Sequence, residues 1–219
     1  MIKLSFSSWS TWKQCPMKFK LQYIDKCASE SSSAIEFGSA FHKALECSLL
    51  GKPVPEPALQ APPPSGFPLP FERYSSEHLQ SLFQAYTSHY SSDSFKVLEV
   101  EKAVEFNLTS DIVYNCVIDS LVEDQGEICV LEHKTTSKLY GWGDKAFLSL
   151  QAVLYALAAE KLGYKVTSVI FNLVCTEWGR YNKKLQNEPG VLFERVKVSI
   201  EGWQKQEARE IFIKDARRI

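Results

Sequence analysis

Two acids and a lysine near the middle of the chain have the types and spacing for chemistry at a cation. The stretches DIVYNCVIDSLVED (111–124) and EICVLEHKTT (127–136) read as strands, and Gln125–Gly126 reads as the turn between them. With a two-residue turn, Asp124 faces Glu127, and counting back sets Asp119 directly opposite Glu132. A four-residue loop keeps that register. A three-residue loop without a bulge turns the two carboxylates to opposite faces. In the favoured register their Cβ atoms stand ~5 Å apart on one face. Like charges so placed cost free energy, and Glu132 lies among Ile128, Val130 and Leu131, which look like core. A divalent cation held by carboxylate oxygens answers that cost. A solvated sheet face is the plainer alternative, and the strand pattern alone does not choose between them. Lys134 favours the cation. Strand alternation puts Glu132 and Lys134 on one face and His133 on the other. The ammonium then stands beside the ion, where it can hold an attacking water or stabilise charge on a phosphate, and the carbonyl of His133 can point at the same ion. These are the parts for hydrolysing a phosphodiester. Glu-x-Lys alone is common, and its weight comes from the Asp119 hairpin.

The elements that must carry this hairpin follow from periodicity. Residues 5–26 read as helix, with Ser7 or Ser8 as a cap and Pro16 as a break or a second start. Phe6, Trp9, Trp12, Phe19 and Tyr23 make its buried stripe. A second helix spans 35–50, with Phe37, Phe41, Leu45 and Leu49 at steps of four and His42 beside them. Residues 51–71 hold eight of the ten prolines and read as a long loop or flap. Helical spacing resumes over 75–91. Strands are expected at 96–108, 111–124, 127–136, 166–176 and 191–199, with one strong helix over 145–163 and an amphipathic helix over 200–217. The order predicts an α/β fold in a single domain, 1–219, with one central mixed sheet flanked by helices.

Composition sets outer limits. A chain of 219 residues, 45% hydrophobic, can fill one core. Lysine and arginine total 25 against 26 acids, which argues against a binder relying on bulk positive charge, although bound cations can supply charge locally. The six cysteines are scattered without a CxxC pair, so a disulfide framework is not expected. No signal-like apolar core opens the chain, and no run reaches the ~18 apolar residues needed to span a bilayer. A soluble, reduced, cytoplasmic protein without membrane partners is the expectation.

The hairpin VIDSLVEDQGEICVLEHKTTS (117–137) resembles the core of the PD-(D/E)XK nucleases, and more narrowly the RecB-type exonuclease branch, which includes the CRISPR-associated exonucleases. Three further motifs match in order: SFSSWSTWKQCPMKFKLQYID (5–25) resembles the branch's opening helix, GSAFHKALE (38–46) its histidine motif, and LQAVLYALAAEKLGY (150–164) its Gln-x-x-x-Tyr helix. The resemblance covers most of residues 5–175. It implies a restriction-endonuclease-like core and DNA as the substrate. Asp119, Glu132 and the His133 carbonyl become ligands of Mg²⁺ or Mn²⁺, and Lys134 becomes the catalytic lysine. It also makes His42 a ligand, where its helix position alone suggests a packing histidine. Gln151 and Tyr155 share a helix face; packing would explain them, and the resemblance puts them at the active site supporting the lysine and the DNA backbone. Glu101 resembles a further acidic position of the branch, in a supporting role at most.

There are departures. The family often has glycine three residues before the hairpin aspartate, and this chain has Cys116. Some relatives hold an iron–sulfur cluster with one early and three late cysteines. Cys15 matches the early position, but only Cys175 lies late, so no cluster is expected and docking of the first helix falls to Trp9 and Trp12. No G-x-x-x-x-G-K-[ST] phosphate loop occurs, so unwinding would need a separate helicase or recombination partner. The branch implies an exonuclease. A silent DNA-binding or protein-interaction module and a sequence-specific endonuclease are the alternatives, although no base-reading element is evident. The tail QKQEAREIFIKDARR (204–218) reads as a solvated helix face, with a DNA-facing helix as the alternative.

Overall fold

The computed structural model describes residues 1–27, 31–54, 74–177 and 189–219. From residue 55 onward, the expected proline-rich flap lies outside the described residues. Strand β1 (Ile2–Leu4) leads into α1 (Phe6–Gln14), α2 (Pro16–Phe19) and a π-helical turn at Lys20–Ile24. There follow α3 (Ser33–Leu49), α4 (Ser76–His89), β2 (Lys96–Asn107), β3 (Ile112–Asp124) and β4 (Glu127–Thr136). The chain continues through α5 (Trp142–Phe147), α6 (Leu150–Lys161), β5 (Val166–Cys175), β6 (Phe193–Ser199) and α7 (Gly202–Ala216).

The six strands form one mixed sheet in the order β1-β3-β4-β5-β6, with β2 on the other edge of β3. The β3–β4 hairpin closes through Gln125 (φ 51°) and Gly126 (φ 87°), the paired left-handed residues of a tight two-residue turn. Its register runs from Asp124↔Glu127 to Ser120↔Leu131. This is the register that the two-residue turn predicts, and it ends one residue short of Asp119 and Glu132. β2 takes one edge of β3 along nearly its whole length, so β1 and β4 share the other: β1 pairs at Ile112–Tyr114 and β4 pairs from Ser120 onward. Between them lies a stretch of β3 edge without a ladder partner among the described residues, and Asp119 stands at its end.

Helices α3 and α4 cover one face through Phe37, Phe41, Leu45, Leu82, Phe83 and Tyr86 against Val174 and Phe193. α6 covers the other and is itself backed by α7. Covered on both faces, β4 is buried continuously from Cys129 to His133. α3 approaches β4 closely. A Cβ on Gly38 would stand 2.9 Å from Thr135 Oγ1, so this crossing needs glycine.

Three expectations change. The helix expected over 145–163 is two helices, because Ser149 accepts from Ala152 N–H and starts α6 afresh. The first helix breaks at Pro16 as expected, but its cap is Ser5, paired reciprocally with Ser8. β1 was not foreseen; three residues are too few for a periodic signal. The tail helix α7 buries Ala208, Phe212, Asp215 and Ala216, and Trp9 Nε1 donates to Asp215 Oδ2 at 3.2 Å, which ties α1 down.

Candidate metal centre

Asp119 projects into the opening between β3 and β4. Its Oδ2 accepts from His133 N–H at 2.9 Å and lies 3.5 Å from His42 Nδ1. His42 comes from α3, in the turn after Gly38 lets that helix settle on β4. The Asp119 charge and the His133 backbone both favour the charged imidazole. Burial outweighs these influences and holds the His42 pKa below its ordinary value.

Glu101 completes a tight group. Donor atoms of His42, Glu101 and Asp119 all lie within 4.8 Å of one another. β2 pairs Val100 with Ser120 and Lys102 with Ile118, so Glu101 stands across from Asp119. Its backbone has φ 47°, an unusual conformation for a non-glycine residue inside a strand. Burial, then the neighbouring Asp119 and Glu46, raise its pKa. Sequence reasoning gave Glu101 a supporting role at most, and here its carboxylate joins the group of possible ligand atoms. Counted from the expected strand ends, with Leu108 facing Asp111, it would fall opposite Ile118; the connection is one residue longer, Leu108 N–H bonds the Ile112 carbonyl, and the register moves Glu101 to Asp119.

Glu132 and Lys134 project to the α6 side, with His133 on the other, as strand alternation requires. Glu132 is 2% exposed, and its Oε1 accepts from Lys134 Nζ at 2.5 Å and from Gln151 Nε2 at 3.2 Å. Gln151 also donates to Tyr155 Oη at 2.9 Å, so the two α6 residues reach the site as a linked pair. Oε2 of Glu132 is buried without a hydrogen-bond partner among the described residues. Burial, helped by Asp119 and opposed by Lys134, pushes the Glu132 carboxyl up to about 8. Glu132 is not within the tight His42–Glu101–Asp119 group; it stands behind Asp119, its Oε1 engaged by the lysine and the glutamine.

The two carboxylates, Glu101 and Asp119, are the donors that suit a hard divalent cation such as Mg²⁺ or Mn²⁺, and the His42 imidazole is a softer third donor. An orphaned carboxylate oxygen beside them is what a cation or a proton would satisfy, so the residues fit such an ion. The group opens into a cleft of 880 Å³ lined by Ser7, Ile35, Ser39, Lys43, Glu46 and Lys134 among others.

A family model for the PD-(D/E)XK nuclease superfamily matches residues 3–218. A solved structure described as a "Putative exonuclease" from Eubacterium rectale superposes with a TM-score of 0.62 at 10% identity, covering 99% of this chain and 80% of its own. At that identity the likeness shows the fold, which is restriction-endonuclease-like. A more distant one, SSO0001, is 11% identical over 94% of this chain and 86% of its own, with a TM-score of 0.38. No curated protein matches the sequence. No helix of the described residues is long and apolar enough to cross a membrane.

Proposed function

This chain belongs to the PD-(D/E)XK nuclease superfamily, and from that premise we propose that it is a metal-dependent deoxyribonuclease working as an exonuclease. His42, Asp119, Glu132 and the His133 carbonyl would hold the ion, with Glu101 joining them from β2. Mg²⁺ or Mn²⁺ bound there supplies Lewis acidity and lowers the pKa of a water. Asp119 orients His42 and the His133 backbone together, through the two contacts its Oδ2 makes. Lys134 presents its ammonium to the cleft, where it positions the attacking water and offsets charge on the phosphate. Gln151 and Tyr155 fix Glu132 from behind.

The observation that supports this reading best is the convergence of three ligand atoms from α3, β2 and β3 within 4.8 Å, next to a buried carboxylate and a lysine. An exonuclease should degrade linear DNA and leave circular DNA intact, only with Mg²⁺ or Mn²⁺ present. Glu132→Ala and Lys134→Ala should abolish cleavage while the fold survives. Full cleavage by either purified variant would refute the assignment, and a cut circle would replace exonuclease with endonuclease.

A further inference from the structure

Three residues on the α3–α4 face form a row across three strands. His133 in β4 pairs with Asn172 in β5, and Asn172 pairs with Arg195 in β6. Their side chains are joined. Arg195 Nε donates to Asn172 Oδ1 at 3.2 Å, and Asn172 Nδ2 lies 2.7 Å from His133 Nδ1 and 2.6 Å from Tyr86 Oη. The outer end is fixed. Arg195 donates through both terminal nitrogens to Asp93 at 2.8 and 2.6 Å, with its guanidinium 3.6 Å from the Tyr90 ring centre.

The direction of each bond follows from the arginine. A guanidinium only donates, so the amide oxygen of Asn172 faces it and the amide NH₂ faces His133. Nδ1 of His133 is therefore the acceptor, and the neutral ring carries its proton on Nε2. Nε2 is buried without a partner among the described residues, and His133 borders a cavity of 220 Å³. Among the described residues Asn172 is thus the one side chain that hydrogen-bonds this ring, with open space beside it. The backbone N–H of His133 bonds Asp119, whose Oδ2 also lies 3.5 Å from His42 Nδ1.

We infer that Asn172, anchored by Arg195, is a positioning residue for the cation site: it fixes the His133 ring and so the peptide that orients Asp119 and His42. The consequence for the ion rests on the proposed function, whereas the clamp on the His133 peptide does not.

The test uses the full chain with Asn172→Leu, which keeps the branching and the number of heavy atoms and removes the bonds. The control is Val174→Ala, on the same strand and the same core face. In Asn172→Leu the His133 amide should exchange with solvent at least ~10-fold faster than in the native chain, and Mn²⁺ should bind ~10- to 100-fold more weakly, as when a ligand's supporting partner is lost. Val174→Ala should leave both unchanged relative to its own loss of thermal stability. If Asn172→Leu does not fold, Asn172→Asp keeps the acceptor for Arg195 and should move the His133 proton to Nδ1, read from its imidazole ¹⁵N shifts. Unchanged His133 exchange in Asn172→Leu, equal effects of Leu and the Val174 control, or an unmoved proton in the Asp variant each overturns the inference. A native chain that binds no Mn²⁺ overturns the proposed function instead, and the exchange result still decides the clamp.

Discussion

Asp119 and His133 are joined where the β3–β4 ladder ends: a side-chain carboxylate accepts the backbone N–H at 2.9 Å that the neighbouring strand leaves open. The acid therefore has a structural duty as well as a chemical one, and substitutions can separate them. Asn at 119 can still accept from the amide but carries no charge. Asp119→Asn should keep near-native stability and lose about 100- to 1,000-fold in cleavage rate, the scale of removing one preorganised electrostatic group. Asp119→Ala should lose the same activity and also about 1–3 kcal/mol of stability, because a poorly solvated donor is left unpaired. Thermal denaturation of the two variants checks this, and equal stabilities would show that the clamp contributes nothing.

Gly38 and Thr135 define how near α3 can come. Gly38→Ala should cost about 1–3 kcal/mol through overpacking and should weaken divalent-cation binding by moving His42, four residues along the same helix. Thr135→Ala removes the obstructing oxygen, so the double variant should recover most of both losses. A double-mutant cycle in stability and in Mn²⁺ affinity measures the coupling. Simple additivity would mean that the helix does not meet the strand there.

The pH response isolates Glu132. Its carboxyl is raised from an ordinary 4.5 to about 8, mainly by burial. Between those values the folded chain holds a proton that the unfolded chain has released, so cation-free stability falls as pH rises through that window. His42 and His133, both lowered by burial, act in the opposite sense and withdraw stability as pH falls through 6.5. Comparison with Glu132→Gln separates the two effects: the native chain should lose stability between about pH 7 and 8, and the Gln variant should not. Mn²⁺ binding near neutral pH should release a proton from Glu132. Calorimetry in buffers of different ionisation enthalpy reads this, and binding without proton release would contradict it.

The hairpin was legible because two local signals agree on it. Gln125–Gly126 suits a left-handed pair, and apolar residues crowd 128–131, so the register follows by counting. Gln151 and Tyr155 were legible from helical spacing together with the family resemblance, and the bond between them joins two residues of one helix face. Gly38 belongs to a recognisable motif, but its use against Thr135 depends on how two distant segments cross. The His133–Asn172–Arg195 row was hidden for the same reason. It joins residues 39 and 23 positions apart, and only the strand order brings them side by side.

The backbone conformation of Glu101 leaves no trace in composition or periodicity, and it offers the last test. A non-glycine residue at φ 47° costs about 1–2 kcal/mol in backbone energy, and burial, then the charge of Asp119, raises the pKa of its carboxyl. Neither feature favours folding, so both are expected to be offset by a cation. Asparagine tolerates this backbone region better than glutamate and carries no charge. Glu101→Asn should therefore raise the melting temperature of the cation-free chain while weakening Mn²⁺ binding and cleavage together. In the native chain, saturating Mn²⁺ should raise the melting temperature by mass action, about 2.7 kcal/mol at a hundred times Kd, and the variant should show a smaller gain at the same concentration. Glu101 would be an incidental surface acid if Glu101→Asn bound Mn²⁺ as tightly as the native chain, and its strain would need another explanation if the variant melted lower without the ion.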